Sequence, residues 1–271
     1  MAKKALCVGI NDYPQEGSDL KGCVNDAKGW AALLTDHFDF AGDDVKLVTD
    51  AEATKENVVA ALQELLADAA SGDVLVFTNS SHGTYVAESG GDEPKYDEAM
   101  CPYDIHDSLL VDDELRELLA TVAEGVNLTV ISDSCFSGTV TRAPVAENIP
   151  GLETPDDRRV RFFSPALRGG EVLANPWAAK PTSVEKYPED SMNHVLLSGC
   201  TDREYSYDAR IEGDYHGAMS YYAIQAITEA DYKLTWSELH ERLLTLIDEA
   251  QYNQHPRLEG PAEHKGRQIF G

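Results

Sequence analysis

Positive charge is scarce in this chain: 22 Lys and Arg stand against 48 Asp and Glu, a formal net charge of −26 at pH 7. A surface of that sign repels phosphate backbones and anionic lipid headgroups, which argues against nucleic acid and membrane as partners. Long apolar runs are lacking too. The opening MAKKALCVGI supplies only residues 5–10 before Asn11-Asp12, too short for a signal peptide or a bilayer span, and it reads as a first strand. Cysteine is sparse and scattered: Cys7, Cys23, Cys101, Cys135 and Cys200 include no CxxC pair. That excludes a disulfide scaffold and fits reduced thiols in the cytoplasm. No tandem repeat recurs at a fixed period.

What remains is a chain of 271 residues, 42% hydrophobic and 26% charged, enough for one large α/β core. Its acidity is uneven. Residues 1–140 hold 27 acidic and 8 basic side chains, so the first half favours cationic ligands. Apolar runs at 5–10, 45–49, 74–78 and 128–132 alternate with helical patterns at 24–38, 55–70 and 113–123, the second of these opened by Thr54 as N-cap. This βαβα order predicts buried parallel strands joined by covering helices. A Gly-rich polar excursion runs from His82 to Pro102. From Gly138 to about Asn193 the pattern gives way to Pro, Gly, Asp and Arg, and no strand or long helix is expected there. Order returns with a strand at 194–198 and helices at 218–228 and 236–251, the last opened by the capping box Thr235-x-x-Glu238. A final strand is expected at 267–270.

Two of these strands end in chemically loaded turns. VLVFTNSSHGT sets His82 just beyond one, and LTVISDSCFSGT sets Cys135 just beyond another. Open α/β sheets hold their sites at the carboxyl ends of strands, so the imidazole and the thiol are expected side by side. A histidine gives a cysteine thiolate character and later protonates a leaving amine. Gly83 and Gly138 leave room for amide N–H groups to face a developing oxyanion. The implied reaction is acyl transfer.

ALCVGINDYP, LKGCVNDA, SSHGT, DSCFSG, HVLLSGCTDREYSYDA and HGAMSYYAI together resemble the caspase-like cysteine peptidases called metacaspases, with their prokaryotic relatives the orthocaspases. The resemblance covers Lys4 to about Ile227 and weakens in the proline-rich insert. It implies an α/β caspase-hemoglobinase fold, a six-stranded, mostly parallel sheet flanked by helices, and a His82/Cys135 dyad whose spacing agrees with the roughly 50-residue upstream histidine of caspase-type enzymes. It divides one catalytic domain into a large-subunit-like part (about 1–140), a linker (141–193) and a small-subunit-like part (194–271). It also implies polypeptide substrates with Arg or Lys before the scissile bond, held by Cys23, Asp26, Ser80 and Asp133. Carboxylates there suit a guanidinium and repel an anionic side chain. Gly83 is the expected oxyanion donor.

The family's members require no cofactor in general, but many use calcium. Asp97, Asp112 and Asp113 resemble three of the ligating aspartates, whereas Arg142 stands where a fourth is usual. Phe136 replaces the second histidine that commonly follows the nucleophile. Family members often cut themselves in the linker after a basic residue, and Arg158-Arg159-Val160-Arg161 is a rare cationic cluster. Arg159 and Arg161 are the leading candidates, ahead of Arg142, Arg168, Lys180 and Lys186. The expected protein is a monomeric endopeptidase. A catalytically silent caspase-like scaffold and a calcium-binding regulatory protein stay open. A serine hydrolase built on Ser134 is disfavoured, because no G-x-S-x-G elbow is present.

Overall fold

A computed structural model describes residues 1–87, 95–135, 158–169, 180–181, 189–201 and 204–271. Its first part holds β1 (Lys3–Gly9), α1 (Cys23–His37), β2 (Val45–Thr49), α2 (Lys55–Leu66), β3 (Val74–Ser80), β4 (Gly83–Ala87), β5 (Lys95–Met100), β6 (Leu110–Val111), α3 (Asp112–Leu119) and β7 (Asn127–Asp133). The short strands β8 (Arg159–Val160) and β9 (Lys180–Pro181) follow. The last part holds β10 (His194–Ser198), β11 (Tyr207–Ile211), β12 (Asp214–Gly217), α4 (Ala218–Glu229), α5 (Trp236–Glu249), β13 (Arg257–Glu259) and α6 (Ala262–Lys265).

Six strands form the central sheet in the order β13-β10-β7-β3-β1-β2, with every pairing parallel except β10 with β13. The expected six-stranded, mostly parallel sheet flanked by helices is therefore present. Because side chains alternate across a strand, Ala5, Cys7, Val74 and Val76 pack on one face with Trp30 and Leu34 of α1 and Leu239 and Leu243 of α5. Leu6, Val8, Leu75 and Phe77 pack on the other with Val58 and Leu62 of α2. The Thr54 cap and the Thr235/Glu238 capping box both form.

Two expectations are corrected, for the linker and for the C-terminus, and two elements appear where none is predicted. The polar excursion after His82 contains an antiparallel pair, β4 with β5. The linker contributes β8, which pairs with β11. A hairpin joins β11 to β12 through Glu212 and Gly213, both at positive φ, the conformation a two-residue turn demands. Finally, residues 267–270 form no strand. Ile269 and Phe270 are buried by packing against the helices, and the sixth strand is the charged β13.

Candidate active site

β3 and β7 are direct neighbours with Ser80 opposite Asp133, so the turns carrying His82 and Cys135 leave the sheet together. Between them lies the linker residue Arg161, whose side chain is fully buried. Its Nη2 donates to Asp26 Oδ2 at 2.7 Å and to Asp208 Oδ1 at 3.0 Å. Its Nη1 donates to Ser80 Oγ at 2.6 Å and to the Asp133 carbonyl at 3.0 Å, and lies 3.3 Å from Asp133 Oδ2. Asp26 comes from the first turn of α1, Ser80 and Asp133 from the ends of β3 and β7, and Asp208 from β11. Four elements thus meet at one guanidinium. Asp133 is held in turn by the Ser220 N–H at 2.9 Å and the Ser206 hydroxyl, and Asp26 accepts from the Gly217 N–H at 3.0 Å. Gly217 has to be glycine, since a Cβ there would overlap Asp133 Oδ2 and Arg161 Nη1. Cys23 is buried at the start of α1, close enough to feel the Arg161 charge, and burial pushes its thiol pKa well up.

The Arg161 backbone is held as firmly as its side chain. The carbonyl accepts from the N–H groups of Gly83 at 3.0 Å and Cys135 at 3.2 Å, and the Arg161 N–H donates to Ser206 O at 3.0 Å. Two amide donors converging on one carbonyl oxygen is the arrangement that stabilises an oxyanion. Downstream, Phe163 N–H donates to Gly83 O at 2.9 Å and the Phe162 ring lies 6.0 Å from that of Tyr85.

The His82 ring is buried against Tyr13 and Phe163, with centroids 5.1 and 6.2 Å away. Nε2 sits 2.7 Å from the Ser18 carbonyl, which fixes the proton on that nitrogen, while the buried Nδ1 has no partner in good hydrogen-bond geometry. Burial lowers the imidazole pKa to about 4, helped by the charges of Arg161 and Arg159 and opposed by Ser18. The ring is therefore neutral, with Nδ1 a free base. Cys135 Sγ donates to Ser206 O at 3.3 Å and accepts from the Ser206 N–H. It also contacts the thiol of Cys200, whose pKa this contact and burial raise. The thiol thus bonds to Ser206 and not to the imidazole, while the Cys135 N–H and the Gly83 N–H beside His82 meet at the Arg161 carbonyl.

The aspartates considered for calcium are differently engaged. Arg116 pairs with Asp112 at 3.1 Å and with Asp113, and Asp97 stands opposite Val86 in the β4–β5 pair. Among the described residues no group of three or more His, Cys, Asp or Glu side chains is arranged to hold a metal ion. Asp112 and Asp113 thus share the Arg116 guanidinium, whereas one buried oxygen each of Asp97 and Asp112 has no hydrogen-bond partner. Of the linker cations, Arg161 fills the pocket, Arg159 reaches the Asp19 carbonyl at 2.7 Å and Arg168 the His106 carbonyl at 3.2 Å. Phe136, Gly138, Arg142 and Lys186 lie outside the described residues.

Comparison with known proteins decides the lineage. The family model for the metacaspase, peptidase C14 domain matches residues 3–144. The chain belongs to the metacaspase family. It is 30% identical to Metacaspase-1 of Scheffersomyces stipitis over 94% of this chain and 70% of that protein. It is 32% identical to Metacaspase-1A of Aspergillus niger over 94% of this chain and 69% of the relative. A crystal structure of a protein from Geobacter sulfurreducens shares the fold, with a TM-score of 0.73 at 23% identity, covering 100% of this chain and 98% of that one.

As a metacaspase the chain is a cysteine-type endopeptidase, a hydrolase of polypeptides. No helix among the described residues is long and apolar enough to cross a membrane. Sequence reasoning missed several residues of the site. Asp208 stands in the quoted HVLLSGCTDREYSYDA segment without an assigned role. Ser18 acts through its backbone carbonyl and so carries no side-chain signal, while Ser206 uses its backbone at Cys135 and its hydroxyl at Asp133. Tyr13, whose hydroxyl accepts the His82 N–H at 3.1 Å, sat in the quoted INDYP segment without a role.

Proposed function

We propose that this metacaspase cleaves peptide bonds after Arg or Lys through a Cys135/His82 dyad, and that its own Arg161–Phe162 bond is the first substrate. One observation carries the reading: Arg161 sits with its guanidinium among Asp26, Asp133 and Asp208 while its carbonyl accepts from Gly83 and Cys135 N–H. The side chain is held as a specificity residue would be, and the carbonyl as a scissile one.

In the reaction, Cys135 Sγ leaves Ser206 and gives its proton to Nδ1 of His82. The thiolate adds to the Arg161 carbonyl carbon, and the oxyanion is held by the two amide donors. The C–N bond then breaks as the imidazolium protonates the departing Phe162 amine. Water, deprotonated by the same nitrogen, hydrolyses the thioester and restores the thiol. Asp26, Asp133, Asp208 and Ser80 bind the basic side chain and reject an acidic one by repulsion. Lys reaches fewer of these acceptors than the forked guanidinium, so Arg is preferred. A silent scaffold would leave the paired donors on the Arg161 carbonyl without a role.

Fluorogenic peptides ending in Arg, Lys or Asp, offered to the wild type and to Cys135→Ala, test the pocket and the nucleophile. A denaturing gel of both proteins, with sequencing of any new N-terminus, tests the self-cut. Turnover of Arg and Lys peptides by the wild type alone, and a fragment beginning at Phe162, are expected. Preference for Asp, or undiminished turnover by Cys135→Ala, would overturn the reading.

A further inference from the structure

Three residues before Arg161, a second arginine is received by a second site. The Arg158 guanidinium carbon lies 4.2 Å from the centre of the Tyr252 ring, and Nη1 donates to the Gln251 carbonyl at 3.2 Å. Tyr252 is buttressed by the rings of Tyr207 and Tyr222, at 5.9 and 6.0 Å. Tyr207 opens β11, Tyr222 belongs to α4, and Tyr252 follows α5, so three elements build one aromatic floor. Gln251 has φ 60, left-handed backbone that ends α5. Its carbonyl lies at the negative end of the helix dipole.

The peptide backbone between the two arginines is registered as well. Val160 pairs with Tyr207 and Arg159 with Asp208, antiparallel, so an extended peptide whose last residue fills the Arg161 pocket delivers its fourth-from-last side chain to Tyr252. A ring face beside a carbonyl suits a planar, weakly hydrated cation that can stack and donate at once. Arginine does both, and lysine only one at a time.

We propose that Tyr252 and the Gln251 carbonyl form a subsite selecting arginine at the fourth position before the scissile bond, in substrates as in the linker. The proposal rests on reading Arg161 as the residue before the cut.

The test uses wild-type protein and peptides of sequence X-Arg-Val-Arg on a fluorogenic leaving group, with X as Arg, citrulline, Lys or Ala. Arg should exceed Ala and citrulline about tenfold in kcat/KM, with Lys between, the size of a solvent-exposed cation–π contact joined to a modest hydrogen bond. Citrulline keeps shape and loses charge, so its fall isolates the cation without altering the enzyme. Tyr252→Leu should compress the Arg-to-Ala ratio at X toward one while leaving a large Arg-to-Ala ratio at the last residue. Equal rates for all four X residues in wild type would overturn the subsite and leave the proposed cleavage after Arg intact. No hydrolysis of any peptide ending in Arg would overturn that cleavage reading, and the subsite with it.

Discussion

Arg161→Gln, made in a Cys135→Ala background so that no chain is cut, removes the guanidinium that pairs with three buried carboxylates. Wild type already strains this balance: burial raises the pKa of Asp133 and of Asp208, with the Arg161 charge pulling both down. Breaking a fully buried ion pair by deleting one partner costs about 3–5 kcal/mol, because a charge is left uncompensated. For a domain of this size that is a fall in Tm on the order of 10 °C. The loss must depend on pH. Without the guanidinium the carboxylate pKa values rise further, the folded state holds more protons than the unfolded state, and stability declines as pH increases through the raised values. The variant should therefore lie closest to its parent near pH 5 and furthest from it near pH 8. Thermal unfolding of both proteins at the two pH values measures this. A free peptide ending in Arg should restore part of the loss at pH 8 by occupying the vacated pocket. Equal stability of the two proteins, or a deficit that does not vary with pH, would refute the assignment of Arg161 as the counter-ion of this cluster.

Asp208→Asn keeps the shape but removes one charge beside Arg161 Nη2, and it should lower kcat/KM for Arg peptides about 10- to 100-fold; unchanged kinetics would remove Asp208 from the pocket. Because the folded protein holds His82 neutral down to about pH 4, its imidazole in intact Cys135→Ala should titrate far below the ordinary 6.5 when followed by NMR. The same depression makes His82 contribute stability above pH 6.5 that is lost as pH falls toward 4. A midpoint at or above 6.5 would contradict the buried, arginine-flanked environment.

Much of this architecture was legible because it rests on long, strongly patterned elements. The runs at 45–49 and 194–198 became β2 and β10 with those bounds, and the turns after β3 and β7 were recognisable because His82 and Cys135 follow runs of buried apolar residues. Less visible were elements whose partner lies far away. Arg159–Val160 has no strand pattern of its own and is extended because β11 supplies its hydrogen bonds. Tyr207–Ile211 mixes charge with apolar residues, so only the Glu212-Gly213 pair could have announced the hairpin. The terminal Ile269-Phe270 pair reads as a strand for its hydrophobicity, yet the sheet edge went to the half-exposed Arg257–Glu259. The cationic cluster at 158–161 stood out in the sequence as a cutting site. That one of its arginines would be wholly buried was not foreseeable, because three carboxylates from distant segments have to converge to make this tolerable.

The central sheet interleaves what lies before and after Arg161: β10 is zipped to β7 on one side and to β13 on the other, while Asp208 completes a pocket begun by Asp26 and Asp133. A nick at that point would yield two polypeptides that migrate together in size-exclusion chromatography and separate only in denaturant. Their renaturation would then be second order in concentration, so maturation would exchange a chain able to refold alone for a heterodimer whose recovery depends on dilution.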